Sequence, residues 1–210
     1  KNTHLLRCAH PSSLRRTVMY ASFLRISRAL HLDVFDQPGR KLLFQQPVRQ
    51  GDESHMGMLS KGYMGNILRI NVANGTARVE PLPDELARQF IGGRGVAAKL
   101  LYDELLAGTD PLSPLNKLIF STGPLASTAA QACSRWMVTT KSPLTGGIFR
   151  STAGGGFGAE VKTAGYDVLI VEGRAEKPVY IVIQDDQVEV KDARHLTGML
   201  THETSAAIVK

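Results

Sequence analysis

Apolar and polar positions begin to alternate near residue 65, and this pattern predicts a series of short strands. Leu68, Ile70 and Val72 occupy every second position of a strand candidate over 66–72, with a partner over 76–80. Between them, Asn74-Gly75 predicts a type I′ hairpin turn, whose two central residues both need a positive φ. Further strands are predicted over 117–121, 136–140, 167–172, 179–183 and 187–191, the last two forming a hairpin around Asp185-Asp186.

Helical patterning is sparse and confined to short stretches. One helix is predicted after Pro83, with Asp84 as its cap, a second over 96–106 and a third over 157–164, which follows a loop of small residues over 151–156. The strands are joined mostly by tight hairpins or loops, whereas a doubly wound sheet needs regular alternation of strands and full-length helices. The pattern therefore predicts an α+β fold with a mixed or mainly antiparallel sheet.

The first quarter of the chain differs from the rest in charge. Residues 1–57 hold nine Lys or Arg against four Asp or Glu, so they contribute +5 of the net charge of +6. Three interpretations stay open for this segment: sequence upstream of a natural start, a targeting peptide, or a basic amphipathic helix over 14–31. We expect little ordered structure there and a folded domain over 58–210. Because that domain is nearly neutral, we expect no nucleic-acid partner for it. We expect no membrane partner either, because the sequence has no run of about 18 apolar residues.

The cysteine content limits the metal and redox chemistry of the chain. Cys8 and Cys133 are its two cysteines, and neither belongs to a C-x-x-C pair or a Cys/His cluster. The sequence thus predicts no disulfide framework and no metal ligands. Cys133 is expected to be a small buried residue in a reducing compartment, which favours a cytoplasmic location.

The strongest chemical signal is the run Gly154-Gly155-Gly156 before the third helix. Glycines let backbone amides approach an anion, and a helix start adds unpaired N–H groups, so the run predicts a phosphate cradle. A tight turn that binds nothing is the alternative. Arg135 and Lys141 are the nearest basic residues in sequence, and Arg94 lies in a second glycine-rich turn.

A dinucleotide site is a second interpretation of the same residues. Gly154, Gly156 and Ala159 fit the degenerate fingerprint G-x-G-x-x-A, and Glu172 follows 18 residues after the first glycine. Two observations weigh against it. Residues 149–152 make a poor buried strand, and the predicted helix is shorter than a crossover helix. No nucleophile–base pair and no pair of catalytic carboxylates emerges, so no catalytic residue is predicted.

Beyond these local signals, ordered motifs over about 64–210 resemble the start of the aldehyde ferredoxin oxidoreductase family. They include MGNILRINV (64–72), IGGRG (91–95), DPLSP (110–114), TKSPLTG (140–146), GGFGAE (155–160), AGYD (164–167) and VEGRAEKPV (171–179). Each motif is weak by itself, but their order without large gaps makes chance similarity improbable. The resemblance implies the family's N-terminal domain, which packs against one face of a tungsten- or molybdenum-bis-pterin cofactor.

The resemblance also implies which residues contact the cofactor. The family's pterin-contacting arginine falls on Arg135 and its next contacts on Thr152 and Gly154, while Gly155 and Gly156 fit the same cradle. The family has Asn where this chain has Thr152, whose hydroxyl still donates or accepts a hydrogen bond. It further implies oxidation of an aldehyde to a carboxylic acid, with electrons passed through a 4Fe-4S cluster to ferredoxin. The cluster's cysteines belong to later domains, so we expect this chain alone to be inactive.

Overall fold

A six-stranded sheet forms the centre of the computed structural model, which describes residues 17–19 and 62–209. Its strands are β2 (Asn66–Asn71), β3 (Thr76–Pro81), β4 (Lys117–Thr122), β5 (Trp136–Lys141), β6 (Ile148–Ala153) and β7 (Val168–Glu172). They lie in the order β3-β2-β7-β4-β5-β6. Neighbouring strands run antiparallel apart from β2 and β7, which are parallel. The predicted α+β fold with a mixed sheet is therefore confirmed.

A smaller antiparallel sheet contains β1 (Thr17–Met19), β8 (Val179–Gln184) and β9 (Gln187–Asp192), in the order β1-β8-β9. The predicted hairpin around Asp185-Asp186 joins β8 to β9, and Asp185 takes a left-handed φ of 53°. A 3₁₀ turn over Arg194–Leu196 and a helix, α4 (Thr201–Val209), follow. Neither of these last two elements was predicted from the sequence.

The helices cover both faces of the six-stranded sheet. Helices α1 (Asp84–Phe90) and α2 (Gly93–Glu104) pack on one face, and α3 (Phe157–Thr163) packs on the other beside β8. Strand β7 supplies both cores, because Leu169 and Val171 face α3 while Val168 and Ile170 face α2. Burying each such aliphatic side chain contributes about 1.5–3 kcal/mol, which is why this strand is an unbroken apolar run.

Four local predictions were wrong. The β2–β3 connection is a four-residue loop over 72–75 in which Gly75, at φ 71°, has a positive φ but Asn74 does not, so it is not a type I′ turn. Asp84 is the first residue of α1, and Pro83 is its cap. Helix α2 begins at Gly93 instead of residue 96. Residues 151–153, predicted as loop, belong to β6, an exposed edge strand.

The charged N-terminal segment falls almost wholly outside the described residues, and with it the expectations for 1–57. Its described portion, Thr17–Met19, pairs with β8 as a strand, so it is not part of a helix over 14–31.

A buried ion pair fastens residues 62–65 to the sheet. Lys162 and Asp167 are each nearly inaccessible to solvent, and their side chains contact one another. Asp167 Oδ2 accepts the backbone N–H groups of Met64 (2.9 Å) and Gly65 (2.7 Å), and Lys162 Nζ donates to the Gly62 carbonyl at 2.6 Å. Burial lowers the pKa of Lys162, and the Asp167 carboxylate opposes that shift.

A second charge network lies at the C-terminal end of α2. It joins that helix to strands β2, β3, β4 and β7. The Arg69 guanidinium binds Glu104 through two 2.8 Å hydrogen bonds, and it also contacts Glu80 and Glu172. Lys117 Nζ reaches Glu104 at 2.6 Å and Glu172 at 3.2 Å. Burial by itself would raise the pKa of Glu104, but the hydrogen bonds from Arg69 and Lys117 outweigh it and lower that pKa to about 2.

Candidate functional site

The glycine run forms the turn between edge strand β6 and α3. Gly155 has a φ of 89°, a conformation that strains any L-residue, whereas Gly154 and Gly156 have no positive φ. A Cβ atom built on any of the three would meet no heavy atom within 4 Å other than those of its neighbours in the chain. Among these three, the backbone therefore requires glycine at 155 alone. Gly154 and Gly156 are exposed, and no constraint from the described residues accounts for them.

Trp136, the single tryptophan of the chain, contacts this turn through its side chain. Its indole Nε1 donates a 3.1 Å hydrogen bond to the Gly154 carbonyl. The ring lies 4.5 Å from that of Phe157 and 6.0 Å from that of Phe120, measured between centroids. Sequence analysis identified Trp136 only as the start of a strand. Its position directly after Arg135 was the available signal of a role at the site.

Arg135 and Thr152 reach the same corner from the two neighbouring strands. Arg135 directly precedes β5, is exposed, and its side chain makes no hydrogen bond or ion pair with any described residue. Thr152 is half-buried in β6, opposite Met137, and the next pair of the ladder joins Trp136 to Ala153. The β5–β6 register thus places Arg135, Thr152 and the glycine turn at one end of these two strands.

The second glycine-rich turn lies at this corner too. Gly93 opens α2, and Ser121 Oγ at the end of β4 donates to its carbonyl at 3.0 Å. The Met137 thioether lies 3.8 Å from the position of a Cβ on Gly93, and Met137 pairs with Thr152. Arg94 follows in the first turn of α2 and is exposed. Of the two arginines, Arg135 is the one that the β5–β6 register places beside the glycine turn.

Lys141 does not belong to the site. It occupies the far end of β5, where its Nζ donates a 2.6 Å hydrogen bond to the Thr109 carbonyl. Proximity in sequence to the glycine run was misleading, because β5 carries Lys141 away from the corner that Arg135 occupies.

The dinucleotide interpretation fails on topology. A dinucleotide fold needs β6, α3 and β7 to form a parallel crossover unit, but β6 and β7 are separated by β5 and β4. Helix α3 has seven residues, too few for a crossover helix. Glu172 lies at the far end of β7, where it joins Arg69 and Lys117 instead of approaching Gly154.

Other groups add little to the chemistry of this corner. Cys133 is a free, half-buried thiol that donates to the Gln131 carbonyl at 3.2 Å, so it is less buried than expected. Over residues 62–209, no three His, Cys, Asp or Glu side chains converge in a way that could hold a metal ion. No helix in the described part of the chain is long and apolar enough to cross a bilayer.

The donor set suits an anionic group with phosphates. An exposed guanidinium without a carboxylate partner can fork onto phosphate oxygens, and the amides of a glycine turn can approach closely. Gly154 and Gly156 are exposed and carry no side chain, so such a group can approach the backbone of the turn. The residues present therefore fit a phosphate-bearing cofactor, although they contain no catalytic group of their own.

The family model and the relatives that match this chain carry the same family description. Residues 67–210 match the family model described as aldehyde ferredoxin oxidoreductase, N-terminal domain. The chain is 50% identical over 149 residues to tungsten-containing aldehyde ferredoxin oxidoreductases of Pyrococcus furiosus and Thermococcus kodakarensis, covering 71% of this chain and 25% of each relative.

A solved structure shares both fold and sequence with the chain. It is the active-site complex BamBC of benzoyl coenzyme A reductase with 1,5-dienoyl-CoA, with a TM-score of 0.69 and 36% identity over 70% of this chain and 23% of that one. The chain thus spans about a quarter of the length of the relatives it matches. Its family match covers well over half of its own residues, and the chain belongs to the aldehyde ferredoxin oxidoreductase family, of which it carries the N-terminal domain.

Proposed function

We propose that this domain supplies one face of the binding site for a tungsten- or molybdenum-bis-pterin cofactor in a longer oxidoreductase. The observation that carries the proposal is the convergence of an unpaired arginine, Arg135, on an open glycine turn over Gly154–Gly156 in a family with tungsten-containing members.

Each residue has a distinct part in holding the cofactor. The Arg135 guanidinium binds phosphate oxygens and offsets their charge. The amides of Gly155 and Gly156 donate to the same group, while Thr152 offers a hydroxyl in place of an amide side chain. Gly154 admits the cofactor because it lacks a Cβ. When bound, the metal–pterin group supplies the redox chemistry, and these residues bind and orient it.

The activity of the whole enzyme is also part of the proposal. The relatives' names support oxidation of an aldehyde to a carboxylic acid with ferredoxin as electron acceptor. Electrons would leave through a 4Fe-4S cluster whose ligands lie in further domains, and those domains would be this chain's partners. We also propose that the domain begins at residue 58. The free Cys133 thiol is compatible with the expected cytoplasmic location.

The proposal is tested by replacing Arg135 in the full-length enzyme. Arg135→Ala should lower the pterin and metal content of the full-length enzyme severalfold. The same substitution should leave the urea unfolding of the ligand-free 210-residue chain unchanged, because the Arg135 side chain makes no hydrogen bond or ion pair with any described residue. Arg78→Ala, an exposed arginine on the distant strand β3, is the matched control. Equal cofactor content in the two variants would show that the cradle is elsewhere.

A further inference from the structure

We propose that Trp136 is a positioning residue that fixes the glycine turn in the conformation that accepts the cofactor phosphates. This inference rests on the proposed function for its ligand, but its structural part concerns the ligand-free chain. The geometry points to it because Trp136 donates its indole N–H to the Gly154 carbonyl and lies directly after Arg135.

The hydrogen bond determines which way the next amide points. The peptide bonds of the described residues are trans, so the N–H of Gly155 points away from the Gly154 carbonyl of the same peptide unit. Since that carbonyl is directed at the buried indole, the Gly155 N–H is directed to the opposite side, out of the aromatic cluster. It has no hydrogen-bond acceptor among the described residues, which leaves it available to an anion.

Trp136 is itself held firmly enough to serve as the fixed partner. It is 7% exposed, and its ring packs against Phe120 and Phe157. Its backbone pairs with Thr122 of β4 and Ala153 of β6. Helix α3 comes so close that a Cβ on Gly158 would lie 3.2 Å from the Trp136 Cβ. Because both neighbouring strands and α3 contact Trp136, its ring is restricted to one orientation. Its hydrogen bond then restricts the conformation of the glycine turn.

Trp136 also connects Arg135 to the glycine turn. Arg135 precedes Trp136 in the chain, and Gly154 is bonded to its side chain, so a single ordered residue sets both the arginine's backbone and the glycine carbonyl. An exposed turn with three consecutive glycines would otherwise have a large conformational entropy to lose when it binds a ligand. Trp136 removes part of that cost before binding.

The first test measures the turn in the 210-residue chain labelled with ¹⁵N-glycine and ¹⁵N-tryptophan, with the exposed residues Leu144 and Phe149 replaced by Gln to keep it monomeric. As the chain has one tryptophan, its indole N–H gives one NMR cross-peak, which should be protected from exchange with water. Trp136→Phe should lower the amide order parameters of Gly154–Gly156 from about 0.85 to below about 0.6. Phe120→Leu is the matched control, since it loosens the same aromatic cluster but keeps the indole donor.

Three results of that experiment would overturn the proposal. These are an indole N–H that exchanges freely, an equally ordered turn in Trp136→Phe, and an equal loss of order in Phe120→Leu. The last result would mean that packing, and not the hydrogen bond, orders the turn.

The second test separates the role of Trp136 from the identity of the ligand. In the full-length enzyme, Trp136→Phe should retain severalfold less metal and pterin per folded molecule than Phe120→Leu. Equal retention would refute the positioning role and leave the proposed function standing. If the wild-type enzyme contains no pterin, the proposed function fails, and the order parameters of the ligand-free turn still decide whether Trp136 fixes it.

Discussion

At the scale of single residues, the three consecutive glycines have different reasons for being glycine. Gly155 is required by its backbone, whereas Gly154 and Gly156 satisfy no constraint that the described residues impose. A sequence shows the run but not this division, because a positive φ cannot be assigned to one of three identical neighbours.

This division leads to a stability prediction. Gly155→Ala should lower the free energy of unfolding by about 1–2 kcal/mol, the cost of a left-handed L-residue. Gly154→Ala and Gly156→Ala should change it by less than about 0.5 kcal/mol, as substitutions without new contacts usually do. Urea unfolding of the three variants checks the prediction, which fails if all three lose the same stability.

The buried pair of Lys162 and Asp167 gives a larger expected effect. Asp167→Asn should destabilise the chain by about 3–5 kcal/mol, because it leaves the Lys162 ammonium buried without its counter-charge. It also weakens the acceptor for the amides of Met64 and Gly65. Denaturant unfolding at neutral pH measures this. Lys191→Met, which removes an exposed ion pair with Glu189, serves as the control and should cost at most about 1 kcal/mol.

At the scale of elements, the sequence predicted the strands that carry buried apolar residues or flank a turn motif, and it missed most of an exposed strand that has neither signal. Strand β7 was recognised from its run of Val168–Val171, and the β8–β9 hairpin from its turn. Strand β6 was taken for a loop beyond residue 150, because an edge strand with four exposed positions shows no apolar pattern. Its pairing with β5 depends on contacts distant in sequence.

The start of α2 was misplaced for a different reason. Its first turn contains glycine at 93 and 95, which reads as a helix break. In the structure, a Cβ on Gly95 would lie 2.3 Å from the Phe90 carbonyl oxygen. Glycine is therefore needed there for the close approach of α1 to α2, and a packing requirement of this kind is not visible in local sequence.

The charge network around Glu104 predicts how the fold responds to acid. The pKa of Glu104 falls from an ordinary 4.5 to about 2 in the folded chain, so its stabilising contribution is present above about pH 4.5 and is lost as the pH falls towards 2. Glu104→Gln should be less stable at pH 7 and lose less stability between pH 4.5 and 2. Urea unfolding over this range measures both. Parallel pH profiles for the two proteins would contradict the role of Glu104.

At the scale of the whole molecule, several large apolar side chains are exposed on the surface. Leu112, Leu115, Leu144, Ile148 and Phe149 are each more than half exposed. Ile148 and Phe149 begin β6, and the three leucines lie in the loop that ends at Asn116 and in the loop after β5. Asn116 joins these loops, because its side-chain amide donates to the Pro111 and Lys141 carbonyls. Apolar surface of this kind in a chain a quarter as long as its relatives fits a domain that packs against others.

The isolated 210-residue chain should therefore self-associate. Replacing Leu144 and Phe149 with Gln should shift it towards the monomer in size-exclusion chromatography, because both side chains are exposed and the substitutions remove apolar area. A wild-type chain that stays monomeric at all concentrations would contradict this expectation.

At this scale, the sequence shows the charge distribution and the resemblance to a family. It does not predict the corner where β5, β6 and α2 meet. Arg135 and Gly154 were identified as site residues, but their proximity depends on the β5–β6 register, and the contribution of Trp136 depends on a side-chain hydrogen bond.

The most direct test of the proposed cofactor site is a cofactor inventory of the full-length enzyme, wild type and Gly154→Val, by elemental and pterin analysis. The wild type should contain stoichiometric tungsten or molybdenum with pterin. Gly154→Val should be depleted of metal and pterin, whereas the urea unfolding of the ligand-free 210-residue chain should change little, since only atoms of the adjacent residues lie within 4 Å of the new Cβ. A wild type with NAD or flavin and neither metal, or a fully loaded Gly154→Val, would contradict the assignment.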